Sequence, residues 1–245
     1  MVRTLTGLHD LSLERSLLAE GFDHVIGIDE VGRGALAGPV SVGVALFDLR
    51  QVTAAEVPAG IHDSKQLSAQ SRQAATTRVQ QWATTTAVGS TSPSELDELG
   101  MTMALNLAGR RALTEVLATH GAGTEFPPRT MILLDGKHDW LSAPLTLDCL
   151  GIFGSAADLE LPAVRTVIKG DGSVPVIAAA SIVAKVDRDE LMINLAEAHP
   201  QYGWESNVGY GTVRHRQGIV ETGPSIHHRR SFRLQAAHDA KEGSS

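Results

Sequence analysis

The sequence predicts an α/β protein: a central sheet flanked by helices, with a C-terminal helical appendage. Three observations predict it. Apolar runs of strand length, Val25 to Glu30, Val40 to Phe47 and Met131 to Leu134, suit buried strands. Longer helical stretches alternate with them, ending in the strong one from Val176 to Ala198. The chain after Gln201 is different in character, locally basic, with Arg214, Arg216, Arg229, Arg230 and Arg233 opposed only by Glu221 between Asn207 and His238.

The first two apolar runs flank a glycine-rich turn and read as a hairpin. Ser68 is a candidate N-cap for a helix over Ala69 to Trp82, and the threonine-rich stretch Ala83 to Ser90 suits a third strand. Ser94 opens a helical region that continues from Met101 to His120, where Gly121 and Gly123 end it. Pro127-Pro128 forms a loop before the strand Met131 to Leu134, which terminates in Asp135-Gly136. An extended segment, Val164 to Ile168, leads to Lys169-Gly170-Asp171-Gly172, and the helix from Val176 stops before Pro200. Beyond it, one helix starts near Thr212, a basic helix is expected around Arg229 to Ala240, and Lys241 to Ser245 reads as a disordered tail. The expected division is an N-terminal extension over 1–20, a core over 21–200 and a C-terminal helical segment over 201–245.

At 245 residues the chain can bury a sizeable core. Its start, Met1 to Asp10, lacks an apolar signal core, and its longest apolar run, Val174 to Ala184, is too short to span a bilayer, so a soluble protein without membrane association is expected. The single cysteine, Cys149, excludes an intramolecular disulfide and a thiolate metal cluster and fits a cytoplasmic location. A net charge of −7 argues mildly against non-specific nucleic-acid binding, but an acidic metal cluster exaggerates that figure and the C-terminal part is basic.

The chemistry concentrates in Asp29-Glu30-Val31-Gly32-Arg33-Gly34. Adjacent carboxylates at the end of a buried strand are costly without a compensating cation, and glycines let backbone N–H groups approach a ligand. Because neighbouring strand side chains face opposite ways, Asp29 and Glu30 converge on one site only where the strand ends or bulges, and the glycines supply such an ending. Asp135 and Asp171 follow apolar or extended runs in the same manner. Each alone reads equally as a hydrated turn residue; together the four suit an oxygen-only site for Mg²⁺ or Mn²⁺. Two such ions about 4 Å apart are the apparatus of phosphodiester hydrolysis.

These motifs carry a family resemblance. The stretch Gly27 to Gly34, Asp63-Ser64-Lys65-Gln66-Leu67-Ser68, Leu134-Asp135-Gly136, Lys169-Gly170-Asp171, Ala178 to Val186 and His227-His228-Arg229-Arg230-Ser231-Phe232 resemble, in this order, the blocks of bacterial ribonuclease HII, the type 2 ribonuclease H. The resemblance implies a ribonuclease H-like mixed sheet flanked by helices. It implies that Asp29, Glu30, Asp135 and Asp171 are metal-binding and catalytic, Asp29 bridging two ions. It also implies that Gly32-Arg33-Gly34 recognises the ribose 2′-hydroxyl through its backbone, and that Tyr210 contacts the sugar at the RNA–DNA junction. Tyr210 reads otherwise as a tyrosine packing a loop. Lys65 and Lys169 have the character of phosphate anchors, or of solvated lysines. Ser64 and Ser181 are further backbone contacts, although Ser181 equally suits close helix packing.

The function expected is an endoribonuclease acting on RNA–DNA hybrids and on the 5′ side of single ribonucleotides in duplex DNA, leaving 3′-hydroxyl and 5′-phosphate ends, and working as a monomer in ribonucleotide removal. Ribonuclease HIII, a DNA nuclease of the wider fold, and a non-catalytic hybrid binder are the alternatives. One departure from the family pattern is the long stretch between Asp135 and Asp171, with Trp140, Cys149 and Phe153, which reads as a surface insertion.

Overall fold

The computed structural model describes residues 10–61, 69–121, 123 and 125–234. Its elements are α1 (Ser12–Ala19), β1 (His24–Val31), β2 (Val40–Asp48), α2 (Leu49–Ala54), α3 (Ala69–Trp82), β3 (Thr85–Thr91), α4 (Pro93–His120), β4 (Thr130–Asp135), α5 (Leu150–Phe153), β5 (Ala163–Val167), α6 (Pro175–Ala198), α7 (Trp204–Asn207) and α8 (Val213–Thr222). The five strands form one mixed sheet in the order β3-β2-β1-β4-β5, antiparallel from β3 to β1 and parallel from β1 to β5.

The apolar runs are continuous because both sheet faces are covered. Val25, Ala45, Phe47, Met131 and Leu133 face α3 and α6, and Leu17 of α1 and Leu11 just before it join that layer. The alternate residues, Ile26, Ile28, Val44, Leu46, Ile132 and Leu134, pack under Leu96, Leu105, Leu113 and Val116 of α4. α6 lies directly on the strand backbones: a Cβ at Gly27 would stand 2.0 Å from the Val176 carbonyl oxygen, and one at Gly43 2.2 Å from that of Ala180. This close contact brings the first turns of α6 to the carboxylate end of β1.

The helix limits follow local chemistry. The cap of α4 lies two residues earlier than expected, because Ser92 rather than Ser94 supplies it in a capping box with Glu95 and Pro93 occupies the first turn. It kinks at Gly100 (φ 71°) and ends on Gly121 in the left-handed conformation (φ 76°). Thr212 caps α8 by accepting from the His215 backbone N–H. Ser68 lies outside the described residues.

Two expectations are corrected. The stretch after Asp135 is no free surface loop: Asn106 donates to the carbonyls of Trp140, Leu141 and Ala143, Arg110 donates to those of Ala156, Ala157 and Leu159, and Cys149 and Phe153 are buried against Leu107. Buried polar groups on α4 thereby turn the insertion into a cover for that helix. Nor is there a basic helix from Arg229 through the last described residue, Leu234. Its backbone donors go elsewhere: the Arg229 N–H to Leu36 O, and the N–H groups of Arg230 and Ser231 to the Asp97 carboxylate. The rest of that stretch and the Lys241–Ser245 tail lie outside the described residues.

Candidate active site

Register brings the carboxylates together. β1 and β4 run parallel with Ile28 opposite Leu134, so the next residue of each, Asp29 and Asp135, lies at the same end of the sheet. β5 lies on the far side of β4, with Val167 opposite Asp135, and the chain returns from it through a tight turn over Gly170–Gly172. Asp135 anchors that turn, its Oδ1 accepting from the Gly170 N–H at 2.6 Å and the Asp171 N–H at 3.4 Å. Carboxylate oxygens of Asp29, Asp135 and Asp171 thus lie within 4.8 Å of one another.

Asp29 is the buried member, and desolvation raises its pKa to about 8; Ser181 lowers it through a hydrogen bond, while the charges of Glu30, Asp135 and Asp171 push it further up. Glu30 stands outside the triad. β1 does not end at the first carboxylate but pairs on through Glu30 and Val31, which corrects the expected strand ending and leaves the two side chains alternating. Glu30 instead accepts from Arg33 Nη1 at 2.8 Å through Oε1, while its buried Oε2 has no hydrogen-bond partner among the described residues. An oxygen-only donor set, mutual repulsion and an orphaned buried carboxylate oxygen fit a hard divalent cation.

A cleft of about 330 Å³ opens over these groups, lined by Asp29 to Gly34, Asp135, Asp171, Ser181, Lys185 and Tyr210. Gly32 takes a positive φ of 84°, and a Cβ there would stand 2.2 Å from Arg188 Nε. Gly34 is different: the nearest atom a Cβ would meet is in the Tyr210 ring at 3.9 Å, so protein packing alone does not require glycine there. Tyr210 is 38% exposed at the cleft wall. Ser181, on the first turns of α6, reaches the site.

Lys169 is exposed in the left-handed conformation (φ 56°) and does not line the cleft, and Ser64 and Lys65 lie outside the described residues. Lys185 lines the cleft although its residue type gave no signal; the hint was its place one helical turn beyond Ser181, on the same face of α6. Its ammonium group is held by the Asp189 carboxylate at 2.5 and 2.6 Å. A larger cavity, about 850 Å³, lies at the opposite end of β4 beside Thr130, Phe126 and Leu161 and contains none of the triad.

Comparison with known proteins adds to this geometry. The family model described as Ribonuclease HII matches residues 26–131 and 154–235; Asp135 falls in the unmatched interval, with the insertion. Ribonuclease HII of Streptomyces coelicolor is 41% identical over 222 residues, covering 90% of this chain and 82% of that protein. The Paracoccus denitrificans enzyme is 39% identical over 226 residues, covering 91% of each. Among solved structures, the ribonuclease H2 of Pyrococcus horikoshii OT3 superposes with a TM-score of 0.62 at 26% identity, covering 86% of this chain and 94% of that one. A five-stranded mixed sheet, an acidic triad at one end of it and a match over most of the length converge, and the chain belongs to the ribonuclease HII family of endoribonucleases.

Proposed function

We propose that this protein hydrolyses the RNA strand of RNA–DNA hybrids and cuts on the 5′ side of a single ribonucleotide embedded in duplex DNA. The observation that carries the proposal is the shared cleft: the triad within 4.8 Å stands beside the Gly32-Arg33-Gly34 turn and Tyr210, so hydrolysis and sugar recognition adjoin. Asp29, Asp135 and Asp171 would hold two divalent ions with Glu30, and Mg²⁺ or Mn²⁺ bound there would activate a water and neutralise charge on the departing oxygen. Gly32 and Gly34 let backbone N–H groups approach a 2′-hydroxyl, the group that separates RNA from DNA, and Tyr210 offers a ring to the adjacent sugar. Ser181, Lys169, Ser64 and Lys65 are proposed as contacts to the nucleic-acid backbone, with the 201–245 segment as a substrate-contacting appendage to the 21–200 core and 1–20 as an extension.

The cellular setting proposed is ribonucleotide removal from DNA in the cytoplasm by a monomer. Among the described residues no helix is long and apolar enough to cross a membrane. The test compares three duplexes with Mg²⁺ and with Mn²⁺: one with a single ribonucleotide, a continuous hybrid and an all-DNA control. Cleavage of the first two, leaving 3′-hydroxyl and 5′-phosphate ends, is expected. An all-DNA duplex cut as fast would sink the proposal in favour of a DNA nuclease.

A further inference from the structure

The C-terminal segment buries a histidine pair whose proton positions are fixed by their partners. His215, on α8, and His228 are 0% and 2% exposed, with Nε2 atoms 3.0 Å apart. A carbonyl only accepts, so His215 Nδ1, 2.9 Å from Tyr210 O, carries a proton. A backbone N–H only donates, so His228 Nδ1, 2.9 Å from Ser225 N, carries none, and its proton sits on Nε2. The His228 Nε2–H therefore donates to His215 Nε2, which also accepts from the Trp204 Nε1–H at 3.0 Å. Every ring nitrogen is used and both rings are neutral. Burial holds both below the ordinary histidine pKa, His228 at about 4, and the neighbouring His199, His227 and Arg216 push the same way.

One end of this relay reaches the backbone of a residue that lines the cleft. Tyr210 O accepts from His215 and also from the Thr212 N–H at 2.8 Å, which pins the loop presenting the tyrosine. The other end, His228 Nδ1, is held by the Ser225 backbone N–H, while the His228 main chain forms a β-bridge with Ala37 and the Leu36 N–H, just after the Gly32–Gly34 turn, donates to Gly209 O at 2.8 Å.

We propose that His215 and His228 are positioning residues for sugar recognition, fixing Tyr210 in the geometry that accepts a ribose-containing strand. The proposal rests on the assignment of Tyr210 to sugar contact made above. Two variants of the full chain separate positioning from mere core packing. His215→Asn keeps a donor near the Nδ1 position, and His215→Gln keeps an acceptor near Nε2 but loses the bond to Tyr210 O. On a duplex with a single ribonucleotide and Mg²⁺, His215→Gln should raise KM about tenfold, the worth of one hydrogen bond, with kcat within about twofold of the parent protein. His215→Asn should stay closer to the parent KM, and in a Tyr210→Ala background His215→Gln should add nothing. An unchanged KM, full additivity with Tyr210→Ala, or equal losses in both His215 variants would overturn the proposal. The imidazole ¹⁵N spectrum of the unmutated protein checks it without a variant: a neutral Nδ1–H ring at His215 and a neutral Nε2–H ring at His228 are expected at pH 7, and a charged ring or opposite tautomers would overturn it. If the unmutated protein cuts all-DNA duplex equally fast, the sugar-contact assignment fails and this proposal with it. Discrimination by that protein with no KM change in His215→Gln removes this proposal alone.

Discussion

At one end of the sheet three carboxylates crowd within 4.8 Å, whereas behind the neighbouring turn two guanidinium groups, Arg188 and Arg229, lie fully buried. The arginines disperse their charge over five carbonyls through six hydrogen bonds, Pro39 O accepting from both. Arg188 donates to Pro39, Val208 and Ala37 at 2.9 to 3.0 Å, and Arg229 to Gly38, Arg33 and Pro39 at 2.9 to 3.1 Å. Burial still lowers both pKa values, that of Arg229 to about 9, yet both groups stay cationic at neutral pH. Asp29 is instead pushed up to about 8, by burial first and then by the charges of the neighbouring carboxylates. Buried charge that the fold satisfies belongs to the scaffold; buried charge that it leaves in conflict marks the place for an external ion.

The sharpest way to break this contrast is Asp29→Asn. Cleavage of a ribonucleotide-containing duplex should fall about a thousandfold or more, while the metal-free protein melts at the same or a higher temperature because repulsion is relieved. Retained turnover would remove the triad from catalysis. Arg229→Met tests the other side: the Gly38 and Arg33 carbonyls lose their donor while Pro39 O keeps that of Arg188, and urea unfolding should show a loss of about 3–5 kcal/mol, with less lost in Arg229→Lys. A loss under about 1 kcal/mol would mean that the carbonyls find other partners.

Glu14 sharpens the comparison as a buried acid far from the cleft. It is 0% exposed, accepts weakly from the Val176 N–H at 3.4 Å, and leaves Oε2 without a hydrogen-bond partner among the described residues. Desolvation raises its pKa from 4.5 to about 7, so the folded state holds a proton that the unfolded chain has released. The contribution of Glu14 to stability is therefore greatest below about pH 4.5 and is lost as pH rises through about 7. Glu14→Gln should gain up to about 3 kcal/mol at pH 8 and nothing at pH 4, measured by urea unfolding at both. A pH-independent difference would contradict the raised pKa. The smallest effect belongs to a half-exposed pair: Arg111 holds the Glu95 carboxyl at about 2, yet Arg111→Ala should cost no more than about 1 kcal/mol because solvent screens the interaction.

Much of this was legible in the chain. The strands containing Ile28 and Leu134 and the helix opened by Pro175 obey local rules of periodicity and breaking, so their positions emerge within a residue or two, as does the cap at Thr212. Asp29, Asp135 and Asp171 announce themselves because each ends an apolar or extended run. Lys185 did not, since a lysine on a helix carries no local mark of facing a cleft.

By itself, the sequence determined the element order, the acidic strand ends, the glycine turn and the family. Tertiary structure alone decided which carboxylates meet, because that depends on the register of Ile28 against Leu134, set by strands about a hundred residues apart in the chain. It decided equally that Glu30 turns to Arg33, that the insertion packs on Asn106 and Arg110, and that the segment at Arg229 forms a turn rather than a helix. In each case the deciding hydrogen-bond partner is remote or conformation-dependent, and a local pattern carries no information about it.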